Sequence, residues 1–124
     1  MLTGDALTSQ IIGLAIEVHR YLGPGLLESA YEQCLSYELS EARIPHERQV
    51  ALAVAYKDTR IDMALRADMV VSNEVLVELK AVERLLPVHE AQVLTYLRLT
   101  SYRVGLLMNF NAMRLKDGLR RYVM

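Results

Sequence analysis

A single cysteine, Cys34, is all the thiol chemistry the 124 residues carry. Neither an internal disulfide nor a cysteine zinc site can form, and a reducing compartment is expected. No apolar run approaches the ~20 residues that cross a bilayer; the longest are Ile11–Ile16 and Val104–Met108. The opening MLTGDALTSQ has neither the basic patch nor the apolar core of a secretory signal, so a cytoplasmic location is expected. Net charge is scarce too: the formal value is −1, which argues against binding nucleic acid through bulk charge. No repeat, low-complexity tract or linker interrupts the chain, so one domain over residues 1–124 is expected. What the chain has in quantity is apolar surface. Its composition, 52% hydrophobic and 23% charged, is that of a globular protein and excludes a disordered tail.

The charge is unevenly spread. Residues 1–41 hold six acids against Arg20 alone, and residues 98–124 hold six bases against Asp117 alone. A phosphate-facing side is therefore permitted on a nearly neutral protein.

Apolar residues Ile11, Ile12, Ala15, Ile16, Val18 and Leu22 recur at helical spacing, and Gly23-Pro24-Gly25 stops that helix. A second helix is expected from about Leu26 to Ala42. Leu27, Ala30, Tyr31, Cys34, Leu35 and Leu39 form its apolar face, with Glu32, Glu38 and Glu41 outward. After Pro45 the period becomes two. Val50, Leu52 and Val54 mark a strand ending at Lys57-Asp58-Thr59, and residues 61–71 and 75–82 read as two more, joined by Ser72-Asn73-Glu74. Pro87 starts a helix of about 13 residues, in which Ala91, Val93, Leu94 and Leu97 are expected to meet the core. Residues 103–110 read as a buried strand, and residues 119–123 as a short final one. Helix, helix, three strands, helix, strand predicts an α/β fold: a mixed sheet with an antiparallel meander and one parallel crossover pair, flanked by helices.

The hairpin between the second and third strands carries the chemistry. Leu76, Glu78 and Lys80 share one strand face and Val75, Val77 and Leu79 the other. With a three-residue loop, Val71 faces Val75 and Asp68 falls opposite Glu78; a two-residue loop splits the acids across the sheet. Opposed carboxylates repel unless something neutralises them. Mg²⁺ does so with one or two carboxylates plus waters and phosphate, and Lys80 beside it can stabilise developing charge. That set suits phosphodiester hydrolysis. Ordinary acids and lysine on a wet sheet face, with Asp68 paired to Lys80 or Arg66, match the same spacing.

The helix after Pro87 offers His89, Gln92 and Tyr96 on one stripe. Gln92 and Tyr96 can orient a water or phosphate over the hairpin, or simply form the polar side of an amphipathic helix. Glu28, in the first turn of the second helix, suits either a metal or the helix dipole. Asp62 lies too far along its strand to share a metal with Asp68. His19 and His46 have no spacing partner, and Cys34 reads as a buried small side chain.

Taken together, these segments resemble a known family. Gly25-Leu26-Leu27-Glu28-Ser29-Ala30-Tyr31 matches the GxxExxY pattern that names the GxxExxY proteins. Arg66–Val70, Val77–Val82, Pro87–Gln92, Tyr96 and Val104–Phe110 look like its other blocks, so the resemblance spans about residues 8 to 112. That family is similar to the PD-(D/E)XK nuclease superfamily. The resemblance implies a restriction-endonuclease-like αβββαβ core preceded by an extra N-terminal helix. It also implies that Asp68, Glu78 and Lys80 are the D…ExK triad, Glu28 a helix acid, and Gln92 and Tyr96 a QxxxY motif. Mg²⁺ or Mn²⁺ would be held by Glu28, Asp68, Glu78 and the Leu79 carbonyl, with Lys80 assisting the attacking water.

The expectation is a metal-dependent nuclease acting on nucleic acid, DNA first, with a homodimer or partner protein supplying substrate choice. A nuclease-fold module that binds nucleic acid or a protein without cutting is the rival. An obligate homo-oligomer contacting through its first helix is a third reading.

Overall fold

The structure, a computed structural model, describes residues 4–124. The periodic apolar stretch at the start forms α1 (Gly4–Leu22), and the glycine-rich stop leads into α2 (Glu28–Glu41). Gly23 (φ 71°) and Gly25 (φ 106°) both adopt the left-handed backbone that glycine tolerates. Tyr31 holds this turn from inside: its hydroxyl donates to the Gly23 carbonyl at 2.6 Å and accepts from the Leu26 amide at 3.0 Å. The same ring stacks on Phe110, centroids 4.6 Å apart.

Five strands follow as one sheet in the order β1 (His46–Tyr56), β2 (Thr59–Val71), β3 (Val75–Lys80), β4 (Val104–Asn109) and β5 (Leu119–Val123). The β1–β2–β3 meander is antiparallel. Helix α3 (Pro87–Leu99) crosses over to make β3 and β4 parallel, and β5 returns antiparallel beside β4. This is the mixed-sheet α/β architecture, with α1 as the extra helix at the front.

The alternation of the strands divides the core in two. Val75, Val77, Leu79, Leu106 and Met108 pack against α1 and α2. Leu76, Leu107 and Val70 pack against Val93 and Leu97 of α3. Gly105 permits the α3 contact, because a Cβ there would lie 2.8 Å from Val93 Cγ1 and 2.9 Å from Leu97 Cδ1.

The side-chain facing of the helices departs from expectation at four residues. Glu32 is buried rather than outward. The stripe of α2 is centred on Tyr31, Leu35 and Leu39, and Glu32, one turn before Leu35, flanks it and reaches Arg48 of β1 at 2.8 Å. Leu27 precedes the first turn of α2 and is exposed, whereas Cys34 is half-buried and packs against the α1–α2 core at the stripe's edge. On α3, Ala91 and Leu94 face solvent, and the narrow contact over Gly105 takes Val93 and Leu97 alone.

Two irregularities shape the β1–β2 hairpin. Gln49 adopts φ 51°, and at this point both strands change face. Arg48 reaches α2 while Val50 packs on the α3 side, and on β2 Met69 belongs to the α1–α2 core while Ala67 belongs to the α3 side. Further out, the register shifts between Leu52↔Leu65 and Val54↔Ile61, so Asp62, Met63 and Ala64 oppose Ala53 alone. Such bulges re-aim side chains near functional sites.

Candidate active site

The loop Ser72-Asn73-Glu74 sets the register Val71↔Val75, Val70↔Leu76 and Met69↔Val77, which is that of the three-residue loop. One step further, Asp68 stands opposite Glu78, and there the backbone ladder gives way to side chains. The Asp68 amide donates to Glu78 Oε2 at 2.9 Å, and the Leu79 amide donates to Asp68 Oδ2 at 2.9 Å. Each carboxylate thus ties down the other strand's backbone, and the two acids share one gap.

Glu78 is 3% exposed. Burial first, then the Asp68 charge and a hydrogen bond to it, push its carboxyl up to about 8, against the smaller opposing pull of Lys80. Without a cation, Glu78 keeps its proton at neutral pH. Neither the Asp68–Lys80 nor the Asp68–Arg66 ion pair forms among the described residues.

The donor set fits a hard divalent ion. Two carboxylates face one gap, and their mutual repulsion is what a cation relieves. In an extended strand a residue's N–H and C=O point to the same side, so the Leu79 carbonyl aims toward the gap its amide already enters. Among the described residues no group of three His, Cys, Asp or Glu side chains gathers to hold a metal. The fit is therefore to an ion that completes its shell with waters and phosphate oxygens, as Mg²⁺ does.

The gap opens into a groove of about 600 Å³ lined by Asp68, Glu78, Lys80, Gln92 and Tyr96, with residues of the β1–β2 hairpin as its outer wall. Lys80 follows Glu78 on the same strand face. Its strand end is held by the Phe110 amide on the Lys80 carbonyl (2.8 Å) and by buried Asn109, whose side chain bonds both the amide and carbonyl of Val82. From α3, Gln92 Nε2 donates to the Tyr96 hydroxyl at 3.0 Å. Burial, then the Glu78 carboxyl, pushes the Tyr96 hydroxyl above its ordinary range, so it keeps its hydrogen. With its oxygen accepting from Gln92, Tyr96 has that hydrogen left to donate into the groove.

Other candidates lie elsewhere. Glu28 is exposed in the first turn of α2 and is not among the residues lining the groove. His89 Nδ1 accepts from the Leu86 amide and closes the start of α3. Asp62 pairs with Arg60 on the hairpin. His19 bonds the Ala112 carbonyl, and His46 bonds Ser36 and the Ile44 carbonyl.

Sequence reasoning missed Glu32 and Gln49. Gln49 Nε2 donates to Glu32 Oε1 at 2.6 Å and to Asp68 Oδ1 at 3.4 Å, while Arg48 neutralises Glu32. The acid of α2 that reaches the groove's edge is thus Glu32, one turn after Glu28, acting through an amide. The only advance signal was its place beside the buried Tyr31 stripe.

Compared with known protein families, the chain matches the model of the PD-(D/E)XK nuclease superfamily over residues 5–122. Comparison with curated proteins and with solved structures gives no match.

Proposed function

The chain belongs to the PD-(D/E)XK nuclease superfamily, and on that footing we propose that it hydrolyses phosphodiester bonds in DNA with Mg²⁺ or Mn²⁺ at Asp68 and Glu78. The observation that carries this reading is the Asp68–Glu78 gap: two carboxylates held at each other's backbone, one of them buried with its carboxyl pushed to about 8. A purely structural acid pair gains nothing from that repulsion. A cation held by Asp68, Glu78 and the Leu79 carbonyl would neutralise the acids and supply Lewis-acid activation.

The remaining groups act on substrate directly. Lys80, beside Glu78 in the groove, offers a charged donor to the scissile phosphate or to the attacking water. Tyr96, aimed by Gln92, donates a neutral hydrogen bond to a phosphate oxygen. Gln49 holds the Asp68 carboxylate in orientation from the outer side. The GxxExxY branch is the one these residues suit, with Gly25 and Tyr31 shaping the turn and Glu28 outside the groove.

The test is cleavage of single-stranded, duplex and branched DNA with Mn²⁺. Asp68→Ala and Lys80→Ala should each lower the rate by at least 10²–10³-fold, the scale of a lost charge-stabilising group, with unchanged circular dichroism. Cleavage undiminished in both variants would sink the assignment. DNA bound but left intact by the wild-type chain would favour the non-cutting module.

A further inference from the structure

The outer wall of the groove has a chemistry the nuclease reading does not use. Strand β3 pairs only with Met69–Val71 of β2, whereas β1 pairs with β2 all the way to Tyr56↔Thr59. The hairpin beyond Asp68 is thus a two-stranded arm; its base packs on the α3 side through Val50, Leu52 and Ala67, and past Leu52 and buried Leu65 it projects roughly 13 Å at ordinary strand rise. Its bulge at Asp62–Ala64 puts Met63 on the groove wall with φ 53°, a left-handed conformation uncommon for such a side chain. Met63 is 77% exposed, a large apolar group standing free on the groove wall, where Leu65 nearby is buried and the floor presents acids, lysine, glutamine and tyrosine.

Its neighbours suit a flat partner. Ala51 and Ala64 leave the wall low on either side, and Arg66 at the arm's base is exposed with no ion pair among the described residues. A phosphate at the acid pair, an arginine two strand steps out for the next phosphate and an apolar, polarizable side chain further along the arm match one ligand. That ligand is a nucleic-acid strand whose base step lies against the methionine. Unbranched methionine moulds to an aromatic face, and methionine is among the side chains that wedge between base steps and unstack them.

We propose that Met63 is a wedge: it packs into a base step of the strand lying along the arm, out from the scissile phosphate, and opens paired DNA there, so that DNA already opened at a mismatch, frayed end or junction is cut with little need of it. The inference rests on the nuclease reading for the position of that phosphate. Unstacking costs least where pairing is already lost, so the methionine matters most on intact duplex.

The experiment uses duplexes carrying 2-aminopurine at each of the steps flanking the cut in turn, fully paired or with one mismatch at that step. Binding by anisotropy and unstacking by 2-aminopurine fluorescence are read in a Lys80→Ala background, to prevent turnover. Cleavage with Mn²⁺ is read in the otherwise wild-type chain. Met63→Ala should bind within about threefold, lose most of the fluorescence rise, and cut paired DNA about tenfold more slowly while mismatched DNA slows less than threefold. Met63→Leu should restore both. Equal slowing on both duplexes, an unchanged fluorescence rise, or no binding would each overturn the wedge. Met63-dependent unstacking by a chain that never cuts would overturn the nuclease reading and leave the wedge standing. Cutting indifferent to Met63 would do the reverse.

Discussion

Glu78 holds its proton because the fold has removed it from water and set Asp68 against it. A carboxyl whose folded value is about 8, above the ordinary 4.5, binds its proton more tightly in the folded state. Unfolding therefore releases a proton across that window, and stability of the metal-free protein falls as pH rises. For this one group the slope is up to about 1.4 kcal/mol per pH unit, levelling off above the folded value. Urea denaturation in EDTA at pH 5, 7 and 9 measures it. Glu78→Gln, which keeps an acceptor for the Asp68 amide but cannot ionise, should lose that slope and be the more stable chain at pH 9. An identical pH profile in the two chains would show that Glu78 is not the buried acid described here. The Gln49 amide belongs to the same scale: it turns an ion pair at the sheet edge, Glu32–Arg48, into an orientation for Asp68.

Elements place these residues by packing, and one of the closest approaches is between α3 and β4. Gly105 lies under Val93 and Leu97 so closely that a single added carbon meets both within 3 Å. Gly105→Val should therefore lift α3, costing about 1–3 kcal/mol as overpacking does. Because α3 carries Gln92 and Tyr96, any cleavage should fall by more than the loss of folded protein explains. Thermal melts paired with rates on the folded fraction separate the two. On the other face, α1 and α2 are joined through Tyr31, whose ring fills the core against Phe110 and whose hydroxyl ties the glycine turn. Two members of the GxxExxY pattern, Gly25 and Tyr31, thus act on the fold, and the third, Glu28, is exposed outside the groove.

Across the whole molecule, the basic C-terminal part does not form one track. Arg114 pairs with Asp117 and, with Lys116, lines a cavity against His19 and Arg20 of α1, on the sheet face opposite the groove. Arg120 stands beside Leu107 and Arg121 beside Leu106, so these neighbours face different sides. The groove itself presents Lys80 and Arg66, so on the proposed function DNA would meet chiefly these two. The salt dependence of binding should then be shallow, with log K against log salt falling at about −2 to −3, as for two or three phosphate contacts. Anisotropy with uncut DNA on Asp68→Asn measures it, and Arg114→Ala with Lys116→Ala should leave the slope unchanged. A slope of about −5 or steeper would return the basic C-terminal part to the interface. Element order and the meander with its parallel crossover pair were legible in the sequence, because apolar period acts locally; the sequence left two loop lengths open between β2 and β3, and the structure has the three-residue turn that sets Asp68 opposite Glu78. Only the tertiary structure decided which acid of α2 reaches the groove, where β1 and β2 change face at Gln49 and Asp68, and that Met63 stands on the wall. Those features depend on helix rotation and on left-handed backbone at non-glycine residues. Long-range packing sets both, and neither leaves a period in the chain.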